Sequence, residues 1–271
     1  MAITALNSAA TGLRALSTEI DVISNNLANA ETASFKGSRV NFEDLYYQML
    51  RQPGIANQSN SDISPDGLFV GLGTKISNTE LDMTQGSMQT TNGQLDLGIQ
   101  GAGFFKIKIM DTIGTPPGTG YTRYGSLIPN SNGNLVVNMG QGYELIPPIT
   151  LPKGATNITV GQDGTVTCVN PGATAPVQIG TIKLTQLINP QGMQLLGGNV
   201  YIATVASGTG VDSTPGQLGA GTIQQGFLEE SNVDPVSELV NLIKTQRSFE
   251  LNSQSIQTAD QALQTIDNLK R

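Results

Sequence analysis

Two apolar stripes of the same period, one at each end of the chain, restrict this sequence more than any other feature. Leu6, Leu13, Ile20 and Leu27 recur every seventh residue, and Ala9, Leu16, Ile23 and Ala30 fill the second seam position between them. Residues 1–33 contain no Pro, and Gly12 is their only Gly. That is an a/d pattern held over four heptads, which a helix satisfies by laying its seam on a partner. Towards the other end, Leu242, Phe249, Ile256 and Leu263 keep the same interval. Leu239 and Ile243 widen that stripe early, and Ala259 and Ile266 complete it late. Asp234-Pro235 reads as a helix start, with a side-chain acceptor at the cap and Pro in the first turn. Lys270 and Arg271 sit at the far end, where cations complement the helix dipole. Burying one Leu or Ile is worth roughly 1.5–3 kcal/mol, so neither helix keeps its stripe in water. Pairing the two ends satisfies both; a helical cap packed on the chain's own β-structure is the other solution.

The middle of the chain, about 34–233, has a different grammar. Short apolar runs alternate with turn residues: Leu95–Ile99, Phe104–Ile109, Leu135–Val137 and Ile179–Leu184 on one side, Asn132-Gly133, Asp163-Gly164 and Gly197-Gly198-Asn199 on the other. Residues 51–67 carry little apolar content and read as a long loop or an extended hairpin arm, and 205–221 read as a second polar loop. The expected fold is mixed α and β: N- and C-terminal α-helices pairing as a coiled coil, with an all-β central domain and an extended β arm inserted between them. The expected division is 1–33 with 235–271 as paired helices, 34–98 with 205–234 as β connector and arm, and 99–204 as an outer β-domain.

Composition removes whole classes of function. The 271 residues include no His and no Trp, one Cys, and only 13% charged side chains. Without imidazole, the Ser–His and Cys–His routes to an activated nucleophile are closed. One Cys forms no internal disulfide and no multi-thiolate zinc site, and Cys168 in Thr165-Val166-Thr167-Cys168-Val169 reads as a small buried strand residue. A net charge of −7 with scattered basic residues argues against nucleic acid as a partner. No segment reaches transmembrane length. The first residues lack the basic start and unbroken apolar run of a cleavable signal peptide, so the chain is expected in the cytosol or exported by a route without one.

Few motifs carry chemistry. Asn130-Ser131-Asn132-Gly133-Asn134 lacks the acidic ligands of a calcium loop and reads as a β-turn. Gly71-Leu72-Gly73 and Gly101-Ala102-Gly103 are fragments of a dinucleotide fingerprint outside its strand–helix setting. Glu229 and Glu230 are adjacent, so in a strand they face opposite ways and cannot share a reaction. A glycosidase-like enzyme using carboxylates alone has no aromatic sugar platform here. No catalytic residue, metal ligand or cofactor site is expected.

Ser24-Asn25-Asn26-Leu27-Ala28-Asn29-Ala30-Glu31-Thr32-Ala33-Ser34-Phe35-Lys36 resembles the N-terminal signature of the bacterial flagellar rod and hook family. Gly101–Phe105 and Tyr121–Ser126 are similar to its central region. Gln225–Val233, Thr245–Ser253 and Gln257–Asp260 resemble its distal-rod members in particular, as does Phe42–Gly54. Asp111–Gly120 departs from the pattern as a lengthened, Pro- and Gly-rich turn. The resemblance implies a structural, self-assembling subunit of the distal rod, a hollow drive shaft carrying motor torque across the periplasm to the hook. A proximal rod or hook subunit and a secreted β-rich adhesin-like module are the alternatives. It implies Leu6, Leu13, Leu16, Ile20, Ile23, Leu27, Leu242, Phe249, Ile256, Leu263 and Ile266 as helix-pairing and assembly residues. Asn25, Asn26, Leu27, Asn29, Phe35, Lys36, Gln246 and Arg247 carry the family motif, and Tyr46, Tyr47, Arg51, Pro53 and Gly54 lie on an intersubunit arm. The implied partners are copies of the chain itself, proximal rod and hook proteins, outer ring proteins and the flagellar type III export apparatus, with no nucleic acid and no membrane insertion.

Overall fold

The apolar periods at the two ends become two helices, α1 (Ala2–Ala28) and α2 (Pro235–Leu269). The computed structural model describes residues 2–53, 66–110, 114, 116–171 and 175–269, without the side chains of residues 2, 3, 266, 267 and 269. The start of α2 follows its residues: Asp234 accepts the Val236 N–H at 3.1 Å and the Ser237 hydroxyl at 2.6 Å, satisfying donors that a helix start leaves open. The end of α1 comes earlier than its apolar period. The helix stops at Ala28, and the Thr32 N–H turns back to the Asn29 carbonyl, so Ala30 of the expected fourth repeat lies beyond the helix.

Contacts divide the chain into two units, Met1–Ala28 with Ser38–Leu81 and Asp234–Arg271, and Asn29–Gly37 with Asp82–Val233. In the first, the two helices accompany two antiparallel ribbons. Strands β1 (Ser38–Asp44) and β4 (Thr74–Leu81) pair from Ser38↔Leu81 to Asp44↔Thr74, with a bulge after Asn41. Strands β2 (Tyr47–Arg51) and β3 (Leu68–Gly71) form the second ribbon, and the residues joining them, 54–65, lie outside the described part.

The second unit is built of β-strands, with a short 3-10 turn at Pro190–Gly192. Its largest sheet is antiparallel, in the order Gln194–Gly197, Val200–Ile202, Thr119–Thr122, Phe104–Lys108, Leu184–Gln186, Val211–Ser213. A three-stranded sheet (Thr156–Val160, Thr165–Val169, Pro176–Thr181) and three short ribbons complete it. One core runs through it, with Ile99, Phe105, Ile107, Leu135, Val166 and Ile223 fully buried, and Cys168 is buried in its strand. The run Ile179–Leu184 is not one strand: pairing in the small sheet ends at Thr181, Ile182 donates its N–H to the Gly164 carbonyl, and Leu184 starts the edge-side of the large sheet. The stretch 205–221 is not wholly loop either. Val211–Ser213 forms an edge strand, which needs backbone partners rather than an apolar period, and Asp212 is fixed there by Lys106 and Thr185.

Candidate functional site

The two helices meet in opposite directions. Asn252 of α2 lies against Gly12 of α1, where any added Cβ would come within 3.1 Å of the Asn252 amide nitrogen, and Glu238 at the start of α2 accepts a hydrogen bond from Asn26 near the end of α1. Among the described side chains of α1, Ala9, Ala15, Ile23 and Asn26 are buried, while Leu6, Leu13, Leu16, Ile20 and Leu27 are half-buried. On α2 the inward side runs Leu242, Thr245, Asn252, Ile256, Ala259 and Leu263, with Phe249 at its margin; the Ile266 side chain lies outside the described residues. Two of those inward positions, Thr245 and Asn252, are polar. A search for apolar periods passes over them, although each sits three residues after a stripe residue.

Leu239 and Ile243 do not widen the inward stripe. Both are exposed, together with Val236 and Val240. At about 100° per residue, Val236, Val240 and Ile243 fall on one line, roughly opposite Leu242, Thr245 and Ile256. The first turns of α2 are therefore apolar on two sides, and the outer side is exposed among the described residues.

Helix α1 is also pinned to β1 and β4. The Asn26 amide donates to the Ser38 carbonyl at 2.8 Å and accepts the Ser38 N–H at 3.0 Å, so one side chain imitates a strand partner. The Thr11 hydroxyl oxygen accepts the Thr74 N–H at 3.3 Å, and Gly73, at φ +117°, leaves no room for a side chain beside Thr11 and Ser8. Burial pushes the Glu238 carboxyl above its ordinary range despite the Asn26 bond. Asn29 meets the Thr32 hydroxyl, Asn25 and Gln246 are exposed, and Arg247 forms a surface pair with Glu250 at 2.9 Å.

The β2–β3 ribbon presents side chains to solvent on both faces. Tyr47 lies opposite Gly71 and Met49 opposite Phe69 on one face, while Leu50, Leu68 and Val70 lie on the other. Tyr46 at its base is 91% exposed. Arg51 and Pro53 crowd Gly67 where the ribbon opens, and Gly54 lies outside the described residues.

Glu229 occupies the centre of the second unit's polar interior. Its side chain accepts the Lys36 ammonium at 2.7 Å, the Arg123 Nε at 2.9 Å and the Gly86 N–H at 2.9 Å. Lys36, Arg123 and Glu229 are 2%, 4% and 1% exposed. Lys36 also donates to the Thr84 carbonyl at 2.5 Å, and Arg123 to the Gly101 carbonyl at 2.7 Å. Burial pushes the Lys36 ammonium below the ordinary lysine range, with Glu229 pulling the other way. Glu230 next door is exposed, so the two carboxylates do not converge. Nothing in the adjacent Glu229-Glu230 pair announces that one of them is buried.

Among the described residues no group of His, Cys, Asp and Glu side chains could hold a metal ion, and no helix is long and apolar enough to cross a membrane. Three family models match, placing the chain among axial flagellar proteins: flagella basal body rod protein over residues 6–36, flagellar hook protein FlgE/F/G D1 domain over 98–168, and flagellar basal body rod FlgEFG protein C-terminal over 224–269. The chain is 44% identical to the flagellar basal-body rod protein FlgG of Buchnera aphidicola over 259 residues, covering 96% of each chain. It is 40% identical to that of Borreliella burgdorferi, with 98% of each covered, and 39% identical to that of Caulobacter vibrioides, with 98% and 99% covered. The chain belongs to the flagellar basal-body rod protein FlgG family. It is a structural protein of the flagellum and not an enzyme.

Proposed function

We propose that copies of this chain assemble into the distal rod, with α1 and α2 paired as the inner core, the β2–β3 ribbon as an arm on neighbouring copies, and the β-domain outermost. The observation that carries this is the second apolar side of α2: among the described residues Val236, Val240 and Ile243 are exposed, and a helix apolar on opposite sides has a second face to cover. The arm supports the same reading, because a two-stranded ribbon with apolar residues on both faces buries neither by itself. Head-to-tail contacts of this kind do not close and so propagate as an open helix. A drive shaft distributes torque over many such repeated contacts, which is how the rod passes motor rotation to the hook. Proximal rod and hook proteins meet the ends of the segment, outer ring proteins surround it, and the flagellar type III apparatus exports the chain before it folds. Electron microscopy of the full chain beside a version lacking 1–33 and 235–271 tests the reading. Rods from the former and a soluble monomer from the latter are expected; a full chain that stays monomeric at high concentration with its helices already formed overturns it.

A further inference from the structure

Glu229 does more than fill a polar interior. Three stretches far apart in the chain meet around it through polar contacts. From the N-terminal side, Ser34 donates its N–H to the Glu229 carbonyl at 2.8 Å and its hydroxyl to the Arg123 carbonyl at 3.2 Å, and the Ala33 carbonyl accepts Asn199 at 2.8 Å. Gly37 donates to the Asn232 side chain at 2.9 Å and its carbonyl accepts the Asp82 N–H at 2.8 Å. From the C-terminal side, Asn232 donates to the Asp82 carbonyl at 2.8 Å, and the Glu230 N–H donates to the Ser87 carbonyl at 2.8 Å. Gly86 allows this approach, since a side chain there would strike the Glu230 backbone. Ser34 is buried with φ +60°, a conformation that a non-Gly residue holds only when its surroundings impose it.

Such a lattice behaves differently from an apolar core. A buried ion cluster contributes little net stability when complete, because desolvation offsets attraction, but losing one member strands the others. Two cations share one carboxylate here, so Glu229 is the member whose loss strands most. Segments held by few apolar contacts open locally, without unfolding the rest. The Lys36–Glu229 contact also spans 193 residues, so it cannot form until both flanks of the β-domain are in place.

We propose that Glu229 is the catch of a clasp. It ties residues 33–37, which follow α1, and residues 229–232, which precede α2, to residues 82–87 as one element that opens and closes as a unit, independently of the six-stranded sheet. A chain whose C-terminal flank has not arrived then cannot hold its N-terminal flank, and the clasp registers completeness before the helices are used.

Hydrogen–deuterium exchange on the full chain tests this. In Glu229→Gln, segments 33–38, 82–87 and 229–233 should exchange together, faster by at least about 30-fold, while Leu184–Gln186 and Val211–Ser213 of the large sheet stay within about twofold of wild type. Glu230→Gln, one residue away and exposed, should change neither set. Should Glu229→Gln fail to fold, Lys36→Met decides, since it leaves Arg123 and Glu229 as a one-to-one pair. Faster exchange at 33–38 with an unchanged large sheet supports the clasp. Unchanged exchange at 33–38, or equal acceleration of the large sheet, overturns it and leaves the cluster an ordinary part of the core.

Discussion

Asn26 shows how much one polar side chain carries in this molecule. Buried on α1, it satisfies both backbone groups of Ser38 and also reaches Glu238. Asn26→Ala leaves those groups without that partner in a part-buried site, and should cost about 1 kcal/mol, measured as a fall in the urea midpoint. Gly73 acts through shape. At φ +117°, with Thr11 in the space a side chain needs, Gly73→Ala incurs both backbone strain and a clash. It should destabilise by more than about 1 kcal/mol, and the Thr11→Ala background should recover part of the loss in a double-mutant cycle. Asp234 adds a pH dependence. The Ser237 hydroxyl and the Val236 N–H hold its carboxyl below 3.8, so its contribution is present above pH 3.8 and is lost as pH falls through the lower folded value. Circular dichroism at 222 nm should show α2 loosening in that acid range, and Asp234→Ala should remove this step while weakening the helix at neutral pH.

At the scale of elements, α2 has one side that meets α1 and another that is exposed. Its inward side includes Thr245 and Asn252 and meets α1; its outer side shows Val236, Val240 and Ile243. Val240→Asp with Ile243→Asp changes only exposed positions, so the monomer should lose no more than about 0.5 kcal/mol. If the outer side is the contact between copies, the same pair should abolish rods by electron microscopy; rods of normal length would place the contact elsewhere. The outer stripe is legible as apolar residues, but sequence proximity places Leu239 and Ile243 beside the inward seam, whereas the structure exposes both. They flank the seam in sequence, and the angle of 100° per residue, not proximity, decides which way they face. The β2–β3 ribbon follows the same logic. Met49→Ser with Phe69→Ser should leave the helices and the β-domain intact while shortening or softening the rods.

For the whole molecule, the ends were readable in advance and the middle only in outline. The seven-residue periods determined that both termini are helices, because few other structures place every seventh residue on one line. Asp234-Pro235 located the start of α2 to the residue, since capping is local chemistry. The missing His and the single Cys narrowed the chemistry, and the Asn-Gly and Asp-Gly pairs marked turns because φ > 0 suits few residues. Only the tertiary structure decided the rest. It ended α1 at Ala28, through a turn closed by Asn29 and Thr32. It made Val211–Ser213 a strand, because an edge needs only a neighbour's backbone. It chose Glu229 over Glu230 for the interior, and brought Lys36 and Arg123 to it across 193 and 106 residues of chain. Periodicity and capping are local and are written in neighbouring residues. Burial of a charge depends on which distant cations arrive beside it, and that is settled only when the β-domain closes around them.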